Sequence, residues 1–283
     1  MPNPVLNEKA IAEARAGWAA PKPPSPGGTT WAPPNAAGTE PITDGPVSEW
    51  RGGMTVRGVI NRTTVLLVLL IASAAVGWSA TPVSTQIVGG VETQVAEFPA
   101  IAMLGILIGF GISIGMYFRP MWAKYLAPTY ALAFGFAVGC ISKGYETFQN
   151  GIVLQAAAAT VAVTAVMLVL YRTNIIKVTN RFRKAVIFAT LGIMLMYGVS
   201  LIFTLFGASV GFINSPSAFG IGLSVVICIV ASLNLALDFD FIEKGARAGL
   251  AKDYEWFAAF GLLVTLVWLY LELLRLFAKL NSR

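Results

Sequence analysis

Histidine is absent from this 283-residue chain, and only 12% of its residues are charged. The missing histidine removes the commonest metal ligand, the usual near-neutral proton switch and any histidine-dependent intramembrane hydrolase. The two cysteines, Cys140 and Cys228, both fall inside apolar runs. They support no disulfide framework and read as small buried hydrophobes. No metal site, no cofactor and no enzymatic activity is assigned. An ordinary soluble domain carries about 25% charged residues. With 56% hydrophobic residues and a mean hydropathy of +0.71, this composition is that of a membrane protein.

The apolar residues gather in seven runs: Thr63–Ala80, Pro99–Phe118, Tyr125–Ser142, Gly151–Tyr171, Ala185–Phe206, Ser217–Leu237 and Trp256–Phe277. Each is long enough to cross a hydrocarbon layer of roughly 30 Å. The runs are continuously apolar rather than alternating, which signals helices and not a barrel. The predicted fold is an all-α membrane domain of seven transmembrane helices over residues 57–283. Residues 1–56 are rich in Pro, Gly and Ala and carry four Lys/Arg against five Asp/Glu. They predict a disordered cytosolic tail, with a partner-docking motif at "PKPP" as the sharper alternative.

A net charge of +6 could suggest nucleic acid, but the cations cluster in short loops beside the spans. There they orient a membrane protein, so the expected partner is the lipid bilayer and not nucleic acid. Arg51, Arg57 and Arg62 place the N-terminus in the cytosol, and the 81–98 loop, with Glu92 and Glu97, lies outside. Arg172, Lys177, Arg181, Arg183 and Lys184 give the strongest inside signal, and Lys244, Arg247 and Lys252 repeat it. Seven spans then put the C-terminus outside despite Arg275, Lys279 and Arg283; a re-entrant last helix is the alternative. The expected location is the cell (inner) membrane.

Small residues four apart (Gly105/Gly109, Gly111/Gly115, Gly135/Gly139) read as helix-packing faces. "NSPS" reads as a helix start with Ser215 as N-cap and Pro216 in the first turn.

Charges inside the spans are few. An Asp near a helix centre costs roughly 2.5–3.5 kcal/mol, less towards the interface. In "LNLALDFDFIEKG", Asp238 and Asp240 are two residues apart, so on a regular helix they point about 160° away from each other. Asp240 shares a face with Glu243, Lys244 and Arg247, and Lys244 stands at ion-pair spacing. That predicts a solvated helix end. Asp238 shares its face with Asn234, Leu235, Phe241 and Ile242, which predicts an inward-facing site or an interfacial cap. Glu272 in the last run stands on a face with Thr265 and near Arg275 and Lys279. It reads as an outer-end ion pair or as a second pathway acid. Arg119, at the cytosolic end of the second run, snorkels by default and could reach Asp238.

The Leu237-Asp238-Phe239-Asp240-Phe241-Ile242 exit from the sixth helix, the small-residue second span and the Leu273-Leu274-Arg275 ending resemble the Bax inhibitor-1 (YccA/TMBIM) family, in a bacterial branch with a long N-terminal tail. The resemblance covers about residues 57–283. It implies a last helix wrapped by the other six and a pH-sensitive calcium leak, with calcium as transported ion rather than cofactor. It also implies an aspartate pair between the sixth and seventh helices. The sixth-helix member matches Asp238, the arginine that pairs with it falls near Arg119, and the seventh-helix position, ten residues before Arg275, is Thr265. The expected function is passive cation movement, with Asp238 as gate, Arg119 as latch and Glu272 as second acid. Asn234, Thr265 and Asp240 are secondary candidates. The rival is a non-conducting regulator that binds other membrane proteins, such as a membrane protease. A retinal protein is disfavoured because no lysine lies mid-span in the seventh run.

Overall fold

The structure, a computed structural model, describes residues 53–88, 91–206 and 215–282, so nearly all of the expected tail lies outside the described residues. Seven helices follow in order: α1 Val56–Ala80, α2 Ala100–Phe118, α3 Ala123–Phe148, α4 Ile152–Arg172, α5 Asn180–Leu205, α6 Ala218–Arg247 and α7 Tyr254–Asn281. All seven are long and apolar enough to cross a membrane. The expected seven-span all-α architecture is present.

The 81–98 connection is not a plain loop. It forms an antiparallel hairpin of β1 (Val83–Val88) and β2 (Val91–Ala96), in register from Val83 opposite Ala96 to Val88 opposite Val91. The signal was in the sequence: two runs rich in β-branched residues separated by Gly89-Gly90.

The α6 boundaries also differ from expectation. Ser217, not Ser215, is the N-cap: its extended backbone lets Oγ accept from Gly220 N at 3.1 Å. Ser215 Oγ instead lies 2.7 Å from Ser217 Oγ, and Pro216 precedes the helix. At the other end the apolar run stops at Leu237, but the helix continues to Arg247. It stops where Gly249 takes a left-handed φ of 62°. There Gly249 N donates to Ala246 O (3.3 Å) and Leu250 N to Gly245 O (3.1 Å). This paired arrangement satisfies the last helical carbonyls. Both aspartates therefore lie inside a regular helix.

α7 is the axis of the domain. In its most apolar stretch 56% of the residues are buried, against 11% in α5. On one face Phe260, Leu263 and Val267 join Val59, Leu66 and Leu70 of α1 and Tyr130 and Ala131 of α3. On the other face Leu269, Leu273 and Leu274 join Ile152 and Ala156 of α4 and Ala231 and Leu235 of α6. These four helices form its wall, while α2 packs on α3 and α5 on α6. The expected central position of the last helix is thus realised with two of the six helices standing behind the others.

Lipid tails offer no hydrophobic drive between helices, so close backbone approach supplies the attraction. A Cβ at Gly135 would lie 2.7 Å from Leu70 O, and one at Gly139 would strike Ala74 O, so α3 and α1 are in backbone contact there. On the opposite side a Cβ at Gly105 would lie 2.5 Å from Ala133 O. Gly111 faces open space. Gly139→Ala is therefore expected to destabilise the domain by about 1–3 kcal/mol through overpacking. Gly111→Ala is expected to be neutral or stabilising by about 0.5–1 kcal/mol, the ordinary helix gain. Thermal unfolding of both variants in one detergent checks the contrast.

Candidate functional site

Twenty residues separate Ala218 from Asp238, about 30 Å of helix, so Asp238 stands near the far end of the α6 span. Its Oδ1 faces α7 at Gly261, where a Cβ would approach it to 3.8 Å. Thr265, on the same helix one turn beyond Gly261, is the polar side chain beside the carboxylate. The Thr265 hydroxyl also lies 3.1 Å from Gly261 O, and its single proton cannot serve both acceptors at full strength. Asp238 Oδ2 is buried and has no hydrogen-bond partner among the described residues. Two facing helices thus place a carboxylate, a hydroxyl and a backbone carbonyl together, with no cation paired to the acid among the described residues.

Asp240 is placed differently from the solvated end its helix face suggests. The expected pair with Lys244 exists, at 2.8 Å, but the Asp240 side chain is only 7% exposed. Arg183 at the start of α5 reaches it as well, at 2.5 Å. One turn on, Glu243 accepts from Tyr171 of α4 (2.5 Å) and pairs with Arg247 (2.5 Å). The C-terminal end of α6 is therefore a polar junction of α4, α5 and α6.

Glu272 lies in the C-terminal half of α7, 3% exposed, and pairs with Arg275 at 3.1 Å. Tyr197 of α5 donates to it at 2.7 Å. Arg275 donates to the Tyr197 hydroxyl and stands 5.0 Å above its ring. Lys279 turns elsewhere, to Gly220 O (3.0 Å) and Ser224 Oγ (2.8 Å). Seven residues, about 10 Å of helix, separate Glu272 from Thr265, so Glu272 and Asp238 occupy different levels. Arg119 is exposed at the end of α2, 5.7 Å above the Trp122 ring. No ion pair joins it to Asp238 among the described residues. Asn234 donates to Thr190 Oγ1 of α5 (2.8 Å) and to Val230 O (2.9 Å).

Two features escaped the sequence reading. Glu255, taken there as loop, is 1% exposed at the start of α7. It accepts from Thr55 N (2.9 Å) and Thr55 Oγ1 (3.0 Å) and pairs with Arg62, so it ties α7 to the start of α1. The second feature is a stripe on α5. Arg183, Thr190 and Tyr197, seven residues apart, bind Asp240, Asn234 and Glu272 in turn. Seven residues are two helical turns, so the three side chains share a face. That spacing was readable as polar residues at a constant interval in an apolar run. Among the described residues no group of three or more His, Cys, Asp or Glu side chains could hold a metal ion.

A family model described as Bax inhibitor 1 like matches residues 3–282. The chain belongs to the Bax inhibitor-1-like family. Among curated proteins none matches it in sequence. For a Bax inhibitor-1-like chain the expected partner of Asp238 stands ten residues before Arg275. The side chain found there, Thr265, does face Asp238 in space, but it is a hydroxyl rather than a second acid.

The α5 stripe predicts a local effect. Tyr197→Phe removes a hydrogen bond to a charged group, worth about 1.5–3 kcal/mol. Because α5 has little apolar burial, the expected result is faster backbone hydrogen exchange in α5, with exchange in α1 and α3 unchanged. Hydrogen-exchange mass spectrometry of the variant reads this directly.

Proposed function

We propose that this Bax inhibitor-1-like membrane protein is a passive leak path for cations, with calcium as the favoured ion and Asp238 as the gating carboxylate. The observation that carries the reading is the buried Asp238 Oδ2, which has no hydrogen-bond partner and no countercharge among the described residues. A carboxylate kept in a membrane span without such compensation is costly, and function is the usual reason to keep one. Calcium binds oxygen donors. Asp238, Thr265 and the Gly261 carbonyl offer carboxylate, hydroxyl and carbonyl oxygens on facing helices. So few donors make a weak site, and conduction needs binding weak enough to release the ion.

In this reading Glu272 is a second acid on the path, held by Arg275 and Tyr197. Protonation of Asp238 removes the charge that attracts the cation. A latch between Asp238 and Arg119 belongs to a different conformation, since Arg119 here stacks on Trp122. In this reading the loop charges set the N-terminus in the cytosol, seven spans carry the C-terminus outside, and the location is the inner membrane.

Calcium flux into dye-loaded liposomes tests the proposal. The wild-type protein is expected to show flux that varies with pH. Asp238→Asn, which fixes the neutral form, is expected to hold flux at its acid-side level at every pH. Equal pH dependence in both proteins, or no flux from either, overturns the leak reading and favours a non-conducting regulator.

A further inference from the structure

Where α1 and α7 begin, a cavity of about 470 Å³ opens between them. Arg57, Asn61, Arg62 and Lys252 bring polar groups to it, and Val65 and Trp256 line it with apolar surface. Arg62 is already engaged: it pairs with Glu255, which also lines the cavity, and its guanidinium lies 5.3 Å above the Trp256 ring. Glu255 is therefore neutralised, and Thr55 donates to it twice more. Asp253 is the other acid close to Arg62.

Arg57 and Lys252 are exposed and form no ion pair among the described residues. With Arg62 set against Glu255, these two cations leave the cavity positively charged. Arg62 Nε adds a buried donor with no hydrogen-bond partner. The cavity's apolar side continues along the outside of α1, where Val65 is 49%, Val68 61% and Ile71 63% exposed.

Two cations without an ion pair among the described residues, above an apolar helix flank, suit a ligand that is anionic at one end and hydrocarbon at the other. Basic pockets between transmembrane helices bind lipid headgroups by this chemistry. A free phosphate would use the cations alone and leave the Val65 and Trp256 surface without purpose. We propose that this cavity binds the phosphate of an anionic phospholipid, with Arg57 and Lys252 on the headgroup and Val65 and Trp256 beside the acyl chains. The site is independent of Asp238 and of any ion flux.

Native mass spectrometry of the full chain in detergent, with phosphatidylglycerol or phosphatidylcholine added, tests the proposal. The wild-type protein is expected to retain phosphatidylglycerol in preference to phosphatidylcholine. At about 1 kcal/mol for each Lys or Arg near a phosphate, Lys252→Gln should weaken retention about fivefold. Arg57→Gln with Lys252→Gln should weaken it about thirtyfold. Both side chains are exposed, so the thermal midpoint of the double variant should match wild type. Arg57→Lys with Lys252→Arg, which keeps the charge, should bind as wild type does. Inorganic phosphate at millimolar concentration should not displace the lipid. Equal retention of the two lipids, or unchanged retention by the double glutamine variant, overturns the proposal. Complete displacement by inorganic phosphate overturns the lipid as the source of the anion.

Discussion

A carboxylate carried into a low-dielectric span must find its countercharge inside the protein, and that requirement organises the second half of this chain. Removing two charges from water is repaid only when geometry and further hydrogen bonds are good. Glu255 has Arg62 and Thr55, Asp240 has Arg183 and Lys244, and Glu272 has Arg275 and Tyr197. Each solution recruits a different helix. The first joins α7 to α1, the second α6 to α5 and the third α7 to α5. Charge compensation therefore also fastens the bundle, and Asp238 stands out as the α6 acid with a buried Oδ2, beside Thr265 and with no countercharge among the described residues.

The fasteners matter most where packing is weakest. α1 and α3 approach to backbone contact through Gly135 and Gly139, and α7 fills the space beside them with Phe260, Leu263 and Val267. That part of the molecule is held mainly by packing, with the Glu255 link added at the start of α1 and α7. α5 is the opposite case, with 11% of its most apolar stretch buried and α6 as its main packing partner. Its attachment runs through Arg183, Thr190 and Tyr197, one link every two turns. A helix held by polar links in an apolar medium can be released by changing a charge, whereas a helix held by glycine packing cannot. The two halves of the domain therefore differ in what would move them.

Much of the fold was legible because membrane thickness leaves few solutions for long apolar runs. The spans and the packing role of Gly105, Gly135 and Gly139 follow from hydropathy and small-residue spacing alone. Hydropathy failed at boundaries, because it marks where apolar residues end and not where the helix ends. α6 passes ten residues beyond Leu237, and it is Gly249 that stops it. Asp240 was misjudged for a related reason. Helix-face geometry rightly set it apart from Asp238 and beside Lys244, but a single-helix argument could not know that Arg183 arrives from α5. Glu255 was missed because its partners, Thr55 and Arg62, lie about two hundred residues earlier in the chain. Pairings between distant helices are what a linear reading cannot supply.

Thr265 is the point where the chain departs from its family's expected pair, and the departure has a chemical consequence. Two facing acids titrate as a coupled unit, with two macroscopic steps that belong to neither residue alone. One acid facing a threonine titrates once. A threonine hydroxyl can donate to a carboxylate or accept from a protonated acid, so it can satisfy Asp238 in either state without titrating, where a second carboxyl group would have to gain or lose a proton itself. The nearby Gly261 carbonyl competes for the same proton, which keeps the hydroxyl from locking the charged form. In the proposed leak, Asp238 would then switch between two states that the same neighbour tolerates. The pH response would be that of a single group, shaped by Thr265 and Gly261, and not that of a strained acid pair.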